Sequence, residues 1–191
     1  MIYIAVGCLT FICYAIFDLN KIKFIHKNIN ILLILGSAVL FLCTVAIIAS
    51  NHSMRISTPL QWLALLLAFL SLILLIYTIF GAIPLKKTYI ESNKGNTVVD
   101  TGMYALCRHP GVLWFFFFYI LLSLAFRNKL LLTAALVWTC LDIIYVYIQD
   151  RWLFPIILED YQSYQKQVPF LKPNMASFRN CMSSLRGKVI K

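Results

Sequence analysis

Charge is scarce in this chain. Only 13% of its 191 residues are charged, and only 7 are acidic, whereas a soluble domain carries about a quarter charged residues. That shortage excludes an ordinary water-soluble globule. Paired cysteines are missing as well. Cys8, Cys13, Cys43, Cys107, Cys140 and Cys181 include no CxxC pair and no metal-ligand spacing, so nothing points to a metal site, and buried reduced thiols are the expected state. No internal repeat is visible, which removes the main sequence signature of a small transporter. The first apolar run has no basic stretch ahead of it and no small-residue cleavage site. Lys21 and Lys23 come after it instead, so it reads as a retained helix and not as a signal peptide.

What is present is apolar. Hydrophobic residues make up 61% of the chain and the mean hydropathy is +0.83. Five apolar segments stand out: Ile2–Leu19, Ile31–Ser50, Leu60–Ile83, Gly111–Phe126 and Leu130–Ile148. A membrane-crossing helix needs roughly 20 apolar residues, and all but the short Gly111–Phe126 meet that length. The sequence predicts an all-α polytopic membrane protein with about five transmembrane helices. Lys and Arg favour the cytoplasmic side. With the N-terminus outside and the C-terminus cytoplasmic, 14 of the 17 basic residues face the cytoplasm, and only Arg55, Arg127 and Lys129 lie outside. Topology and attraction to the membrane surface account for the +10 net charge, and no nucleic-acid-binding signal accompanies it.

Small residues Gly36, Ser37, Ala38, Ala64 and Ala68 would let the first three helices approach closely. The longest polar stretch between helices runs from Pro84 to Pro110. Within it, "DTGMYALC" reads as a cap and about two helical turns that end before Pro110. The link "RNK" makes the last two apolar segments an antiparallel hairpin. The hairpin returns Asp150 and the C-terminal segment to the side of Arg108 and His109. Asp142, an acid inside the last apolar segment, is either functional or a structural partner for a Tyr, Trp or Thr nearby. Pro155 should kink or break the helix. Tyr161, Tyr164 and Val168 share one helical face. In the tail, Met175, Phe178, Met182, Leu185 and Val189 form one stripe, with Arg179, Arg186 and Lys188 off it. That pattern predicts a basic amphipathic helix on the inner leaflet.

The residues that carry chemistry begin with Arg108-His109-Pro110, at the threshold of sixteen uncharged residues. Pro110 holds His109 out of helix and starts the next one. A guanidinium fork, an imidazole and helix N–H groups together suit an anion such as a carboxylate or phosphate. The bland alternative is a snorkelling anchor beside a helix cap. Gln149, Asp150 and Arg151 converge on the same side, and Tyr104, Tyr161 and Tyr164 offer aromatic faces that suit a sulfonium or quaternary amine.

"TGMYALCRHPGVL" resembles the G-x-Y-x-x-x-R-H-P signature of the isoprenylcysteine carboxyl methyltransferase and phospholipid methyltransferase superfamily. A second block of that family, an acidic pair and then Y-x-x-Y-x-x-x-V-P, is similar to Gln149-Asp150, Leu153, Tyr161, Tyr164, Val168 and Pro169. The resemblance implies a membrane methyltransferase that takes S-adenosylmethionine from the cytoplasm and a lipophilic methyl acceptor from the membrane lipids. It implies cofactor-binding roles for Gly102, Tyr104, Arg108, His109, Pro110, Gln149, Asp150, Tyr161 and Tyr164, and catalytic roles for His109, Asp150 and Arg108. Residues 1–191 would form one domain: scaffold helices over 1–83, the cofactor loop, hairpin and second motif over 84–173, and the basic tail over 174–191.

Two positions depart from the family pattern. Gln149 replaces the first acid, and Ile157-Leu158 replaces Phe-Gly. They leave room for a degenerate, non-catalytic member that acts in membrane assembly or binding. Sterol and steroid reductases, which use NADPH, resemble the same C-terminal architecture and form the other alternative. Ile-, Lys- and Asn-rich usage points to a bacterial cytoplasmic membrane, with the active site facing the cytoplasm.

Overall fold

A computed structural model describes residues 1–23, 29, 31–50, 53–81 and 98–186. The basic residues Lys27, Lys86, Lys87, Lys94, Lys188 and Lys191, together with Val189, lie outside them. Among the described residues the chain is helical and forms no strand. Its helices are α1 (Ile2–Lys23), α2 (Ile31–Ala49), α3 (Thr58–Ile76), α4 (Met103–Leu106), α5 (Pro110–Ala125), α6 (Lys129–Ile148), α7 (Phe154–Ile157), α8 (Tyr161–Gln167) and α9 (Met175–Leu185). Wider π-helical turns extend α3 over Tyr77–Gly81 and α6 over Gln149–Leu153. Four spans are long and apolar enough to cross a membrane: Ile2–Asn20, Ile31–Ala49, Thr58–Phe80 and Lys129–Ile157. The fifth apolar helix, Pro110–Ala125, has 16 residues and so runs about 24 Å at 1.5 Å per residue.

The chain divides into two compact units. The first comprises Met1–Ser71 and Phe116–Ile148. Its close helix approaches occur at small residues. The Thr10 hydroxyl donates to the Gly36 carbonyl at 2.9 Å, and Tyr14 and Ser37 share a hydrogen bond of 2.8 Å. Ala64 and Ala68 are buried, whereas Ala38 is exposed. Trp138 of α6 is completely buried, and its indole N–H donates to the Ile4 carbonyl at 3.1 Å. Gly7 sits under that ring, where any Cβ would fall inside the indole.

At one end of this unit, Tyr145 donates to Asp18 at 2.6 Å. At the other, Asn128 joins the α5–α6 turn to the end of α2. Its side-chain amide donates to the Ile47 and Ser50 carbonyls at 2.7 and 3.1 Å, and its oxygen caps α6 by accepting from Leu131 N–H at 3.0 Å. The antiparallel hairpin expected from "RNK" is the observed connection. Asp142 has no hydrogen bond or ion pair among the described residues; it interacts electrostatically with Tyr14.

The second unit comprises Leu72–Phe115 and Gln149–Lys191. Here α4 is a single turn, shorter than the two turns expected. Cys107 leaves it in an extended conformation (φ −158°, ψ 162°), and residues 108 and 109 pair with another backbone segment. Arg108 N–H donates to the Pro169 carbonyl at 2.9 Å and His109 N–H to that of Phe170 at 3.3 Å. A residue that precedes proline is disfavoured in the helical region, so the helix stops before Pro110. Pro155 does not break the helix: the path runs on through the widened turn into the short α7, with Pro155 in its first positions. A proline ring clashes with the carbonyl four residues earlier and offers no N–H, which disfavours a continuous α-helix here.

Tyr161, Tyr164 and Val168 are buried together, packed by Val98, Phe154 and Leu158. The tail helix α9 starts at a reciprocal capping box between Asn174 and Ser177. It packs on α4 through its polar face, where Ser177 and Cys181 are buried and the Ser184 hydroxyl accepts from Gly102 N–H at 2.9 Å. Met175, Phe178, Met182 and Leu185 stay exposed.

Candidate functional site

Asp150 is the centre of the second unit. The widened turn that ends α6 carries it inward, and only 6% of the residue is exposed. Its Oδ1 accepts from Arg108 Nε at 2.8 Å, His109 Nε2 at 3.1 Å and the Tyr161 hydroxyl at 2.6 Å. Its Oδ2 accepts from Arg108 Nη2 at 3.0 Å and Gln165 Nε2 at 3.1 Å. A second bond from Gln165 Nε2 goes to the Asp150 carbonyl at 2.9 Å. The two-point guanidinium–carboxylate geometry is the strong form of this pairing. Arg108 Nη1 is also engaged, donating to the Gln165 and Val168 carbonyls at 3.0 and 2.7 Å. The fork that the sequence offers to an external anion thus grips Asp150 and the end of α8.

A carboxylate only accepts, so His109 carries its proton on Nε2. Its ring stacks on Phe154 (5.9 Å between centres, 14° between planes) and meets Phe170 edge-on at 5.0 Å. The Arg108 guanidinium lies 5.6 Å from the centre of the same Phe170 ring. Burial pushes the imidazole below its usual pKa. Hydrogen bonding to Asp150 opposes that shift and the Arg108 cation adds to it, so the neutral form is favoured. Burial, and then the neighbouring carboxylate, raise the Tyr161 hydroxyl; Tyr164 is raised by burial first and by Tyr104 next. Both phenols therefore remain donors. Burial likewise pushes the Cys107 thiol up to about 12, which leaves it protonated and unreactive.

The remaining expected residues surround this web. The Tyr164 hydroxyl donates to the Tyr104 carbonyl at 2.7 Å, and Tyr104 donates to the Thr78 carbonyl at 3.2 Å. Gly102 adopts φ 61°, the left-handed region that favours glycine, and meets α9 through its N–H. Pro110 is fully buried at the start of α5. Gln149 is half-buried, one residue before Asp150. Tyr161 and Tyr164 pack inside the unit and support the site from within, with 3% and 6% of their surface exposed.

Sequence reasoning missed Gln165, Phe154 and Phe170. Gln165 lies four residues after Tyr161 and so shares its helical face. An amide on that otherwise aromatic and aliphatic stripe was the available signal. The ring partners of His109 had none, because their meeting depends on the turn at Pro155 and on the extended segment 168–170.

Chemically, the arrangement organises. A carboxylate that already accepts five hydrogen bonds from four residues has little capacity to take a proton, and a guanidinium with four of its five N–H groups engaged has little left to bind an anion. No family model, curated protein or solved structure matches the chain.

Proposed function

We propose that the protein is a membrane-integral methyltransferase. It takes the methyl group of S-adenosylmethionine on the cytoplasmic side and passes it to a lipophilic acceptor in the membrane. The observation that carries this reading is the convergence of two motif blocks on one carboxylate. Arg108 and His109 come from the first block, Asp150 and Tyr161 from the second, and 41 positions separate His109 from Asp150 along the chain. Such convergence is the arrangement that a shared cofactor platform requires.

The groups present fit this cofactor in part. Ring faces of His109, Phe154 and Phe170 beside a carboxylate suit a sulfonium. For the amino-acid carboxylate, Arg108 has one uncommitted N–H on Nη2, and Arg151 is exposed one residue after Asp150. The cofactor supplies an activated methyl on sulfur. The protein's own contribution is to hold the platform rigid and exclude water while the acceptor attacks in line. Arg108, Asp150, Tyr161 and Gln165 are positioning residues in this scheme, and His109 presents its ring to the site.

The orientation belongs to the same reading. Five helices cross the membrane, with the N-terminus outside and residues 149–186 in the cytoplasm. Helix α9 lies on the inner leaflet, with Met175, Phe178, Met182 and Leu185 toward lipid and Arg179 and Arg186 near the headgroups.

A second reading draws on the saturation of Asp150. A web with its hydrogen bonds satisfied is also what a purely structural clamp requires, as in a non-catalytic member with Gln149 in place of the first acid. Cofactor binding separates the two. Purified full-length protein in detergent should bind S-adenosylmethionine at micromolar concentrations, with NADPH as the control. His109→Ala should weaken binding at least tenfold, about 1.4 kcal/mol, while keeping a cooperative melt. Binding of NADPH alone would assign the protein to the reductases. Binding of neither, by wild-type protein with an intact melt, would leave the structural clamp.

A further inference from the structure

The first unit has a cavity of about 320 Å³ at the end where α2 stops and the α5–α6 turn begins. Ser50, Ser53, Phe126, Arg127 and Asn128 are among its lining residues, and no acidic side chain is. Arg127 is the charge within it. The turn fixes this residue closely: Met54 N–H donates to the Arg127 carbonyl at 2.6 Å, and Arg127 N–H donates to the Leu124 carbonyl at 3.1 Å.

Its guanidinium, by contrast, is nearly unused. Among the described residues it makes one hydrogen bond, from Nη2 to the Thr58 hydroxyl at 3.3 Å, and no ion pair; its Nε is buried without an acceptor. No neighbouring polar group supplies one. The Asn128 oxygen is turned to Leu131 N–H, and the Ser50 hydroxyl to the Ile47 carbonyl.

The acids of the unit lie away from the cavity. Its two acids are Asp18 and Asp142. Asp142 lies fourteen residues along α6 from Asn128, about 21 Å by helical rise, and Asp18 is held by Tyr145, further along still. The end that holds the cavity carries Arg55, Arg127 and Lys129. A partly buried guanidinium without a counter-ion among the described residues, in a cavity whose own unit keeps its acids at the far end, calls for an anion.

We propose that this cavity binds a phosphate group through Arg127, with the serines at its rim as further donors. Phe126 lines the same cavity and is 48% exposed at the end of an apolar helix, a position that suits the phosphodiester of a lipid headgroup with its acyl chains along α5. Free phosphate offers the same chemistry. The site is independent of the methyl-transfer reading, and failure of either leaves the other standing.

The test uses the detergent-purified full chain and three probes: inorganic phosphate against sodium chloride at matched ionic strength, and nanodiscs of phosphatidylglycerol or of a phosphate-free glycolipid. In wild type, inorganic phosphate should raise the melting temperature, or phosphatidylglycerol should be retained through delipidation where the glycolipid is not. The first result identifies free phosphate as sufficient, and the second assigns the source to a lipid. Arg127→Gln should weaken the effect about tenfold or more, as expected for loss of a two-point contact. Ser53→Asp, which places a carboxylate at the cavity, should abolish binding while leaving the protein folded. The proposal is overturned if neither probe has an effect on wild type, or if both variants bind as well as wild type.

Discussion

Asp150 accepts from Arg108, His109, Tyr161 and Gln165 at once, and that concentration of partners sets the cost of altering it. Asp150→Asn removes the charge that compensates a guanidinium only 12% exposed. Breaking a buried pair from one side costs about 3–5 kcal/mol, so the variant should melt well below wild type, as measured by thermal unfolding in detergent. Arg108→Lys keeps the charge but loses the fork, and its loss should be smaller. No loss in Arg108→Lys would mean that charge alone, and not two-point geometry, holds the web.

His109 adds a dependence on pH. Its folded pKa is depressed, chiefly by burial, while the unfolded imidazole titrates near about 6.5. Below that value the unfolded chain takes up a proton that the folded chain refuses, so stability falls as pH drops. The slope is at most about 1.4 kcal/mol per pH unit. Comparing denaturation midpoints of wild type and His109→Gln between pH 7.5 and 5.5 isolates this contribution, and equal slopes would sink it. Arg108, His109 and Asp150 were legible as a group because charges at the end of apolar runs are rare. That Asp150 would be saturated was not legible, since Gln165 has no charge to draw attention to it.

At the scale of elements, Asn128 joins two of them: it caps α6 and satisfies carbonyls at the end of α2. Asn128→Ala removes the cap, worth about 0.5–2 kcal/mol, and strands the Ser50 carbonyl, while the Ile47 carbonyl keeps its bonds from Ser50. Each stranded buried group costs about 1–3 kcal/mol. The expected outcome is a drop in melting temperature larger than that of Asn174→Ala, which loses only the capping box of α9. Equal drops would show that the α2 contacts contribute nothing.

Gly7→Ala tests a different property of the same unit. A methyl group there must displace the Trp138 ring, and overpacking of that kind costs about 1–3 kcal/mol. A change in indole fluorescence should accompany the loss of stability. The hairpin, the single-faced Tyr161–Val168 stripe and the α9 stripe were legible, because each is a local pattern of spacing. The Gly7–Trp138 and Asp18–Tyr145 contacts were not: they join residues 131 and 127 positions apart in the sequence, and neither leaves a local trace. The single turn of α4 was hidden for the same reason, since the backbone that holds Arg108 and His109 extended comes from Pro169 and Phe170.

At the scale of the whole molecule, the number of crossings depends on α5. Its 16 residues cover about 24 Å, less than the roughly 30 Å of a hydrocarbon core, so length alone is equivocal. The contacts within the first unit argue more strongly. Ser53 pairs with Asn128, and Met54 N–H donates to the Arg127 carbonyl at 2.6 Å. The α2–α3 link and the α5–α6 turn therefore lie at the same end. Helix α3 leaves that end, and the chain has to return to it before α6 begins. If α3 crosses the membrane, a crossing by α5 would bring the chain back.

Five crossings put Ser53 on one face and Ser163 on the other; with α5 not crossing, both would fall on one face. Single cysteines at these two exposed positions, in a background with the native cysteines replaced, can be probed with a membrane-impermeant maleimide in intact cells. The basic-residue distribution predicts that Ser53→Cys labels directly and Ser163→Cys only after permeabilisation. The reverse pattern would turn the protein over in the membrane and place the Arg108–Asp150 web outside, where a cytoplasmic methyl donor cannot reach it. Direct labelling at both positions would mean that α5 does not cross.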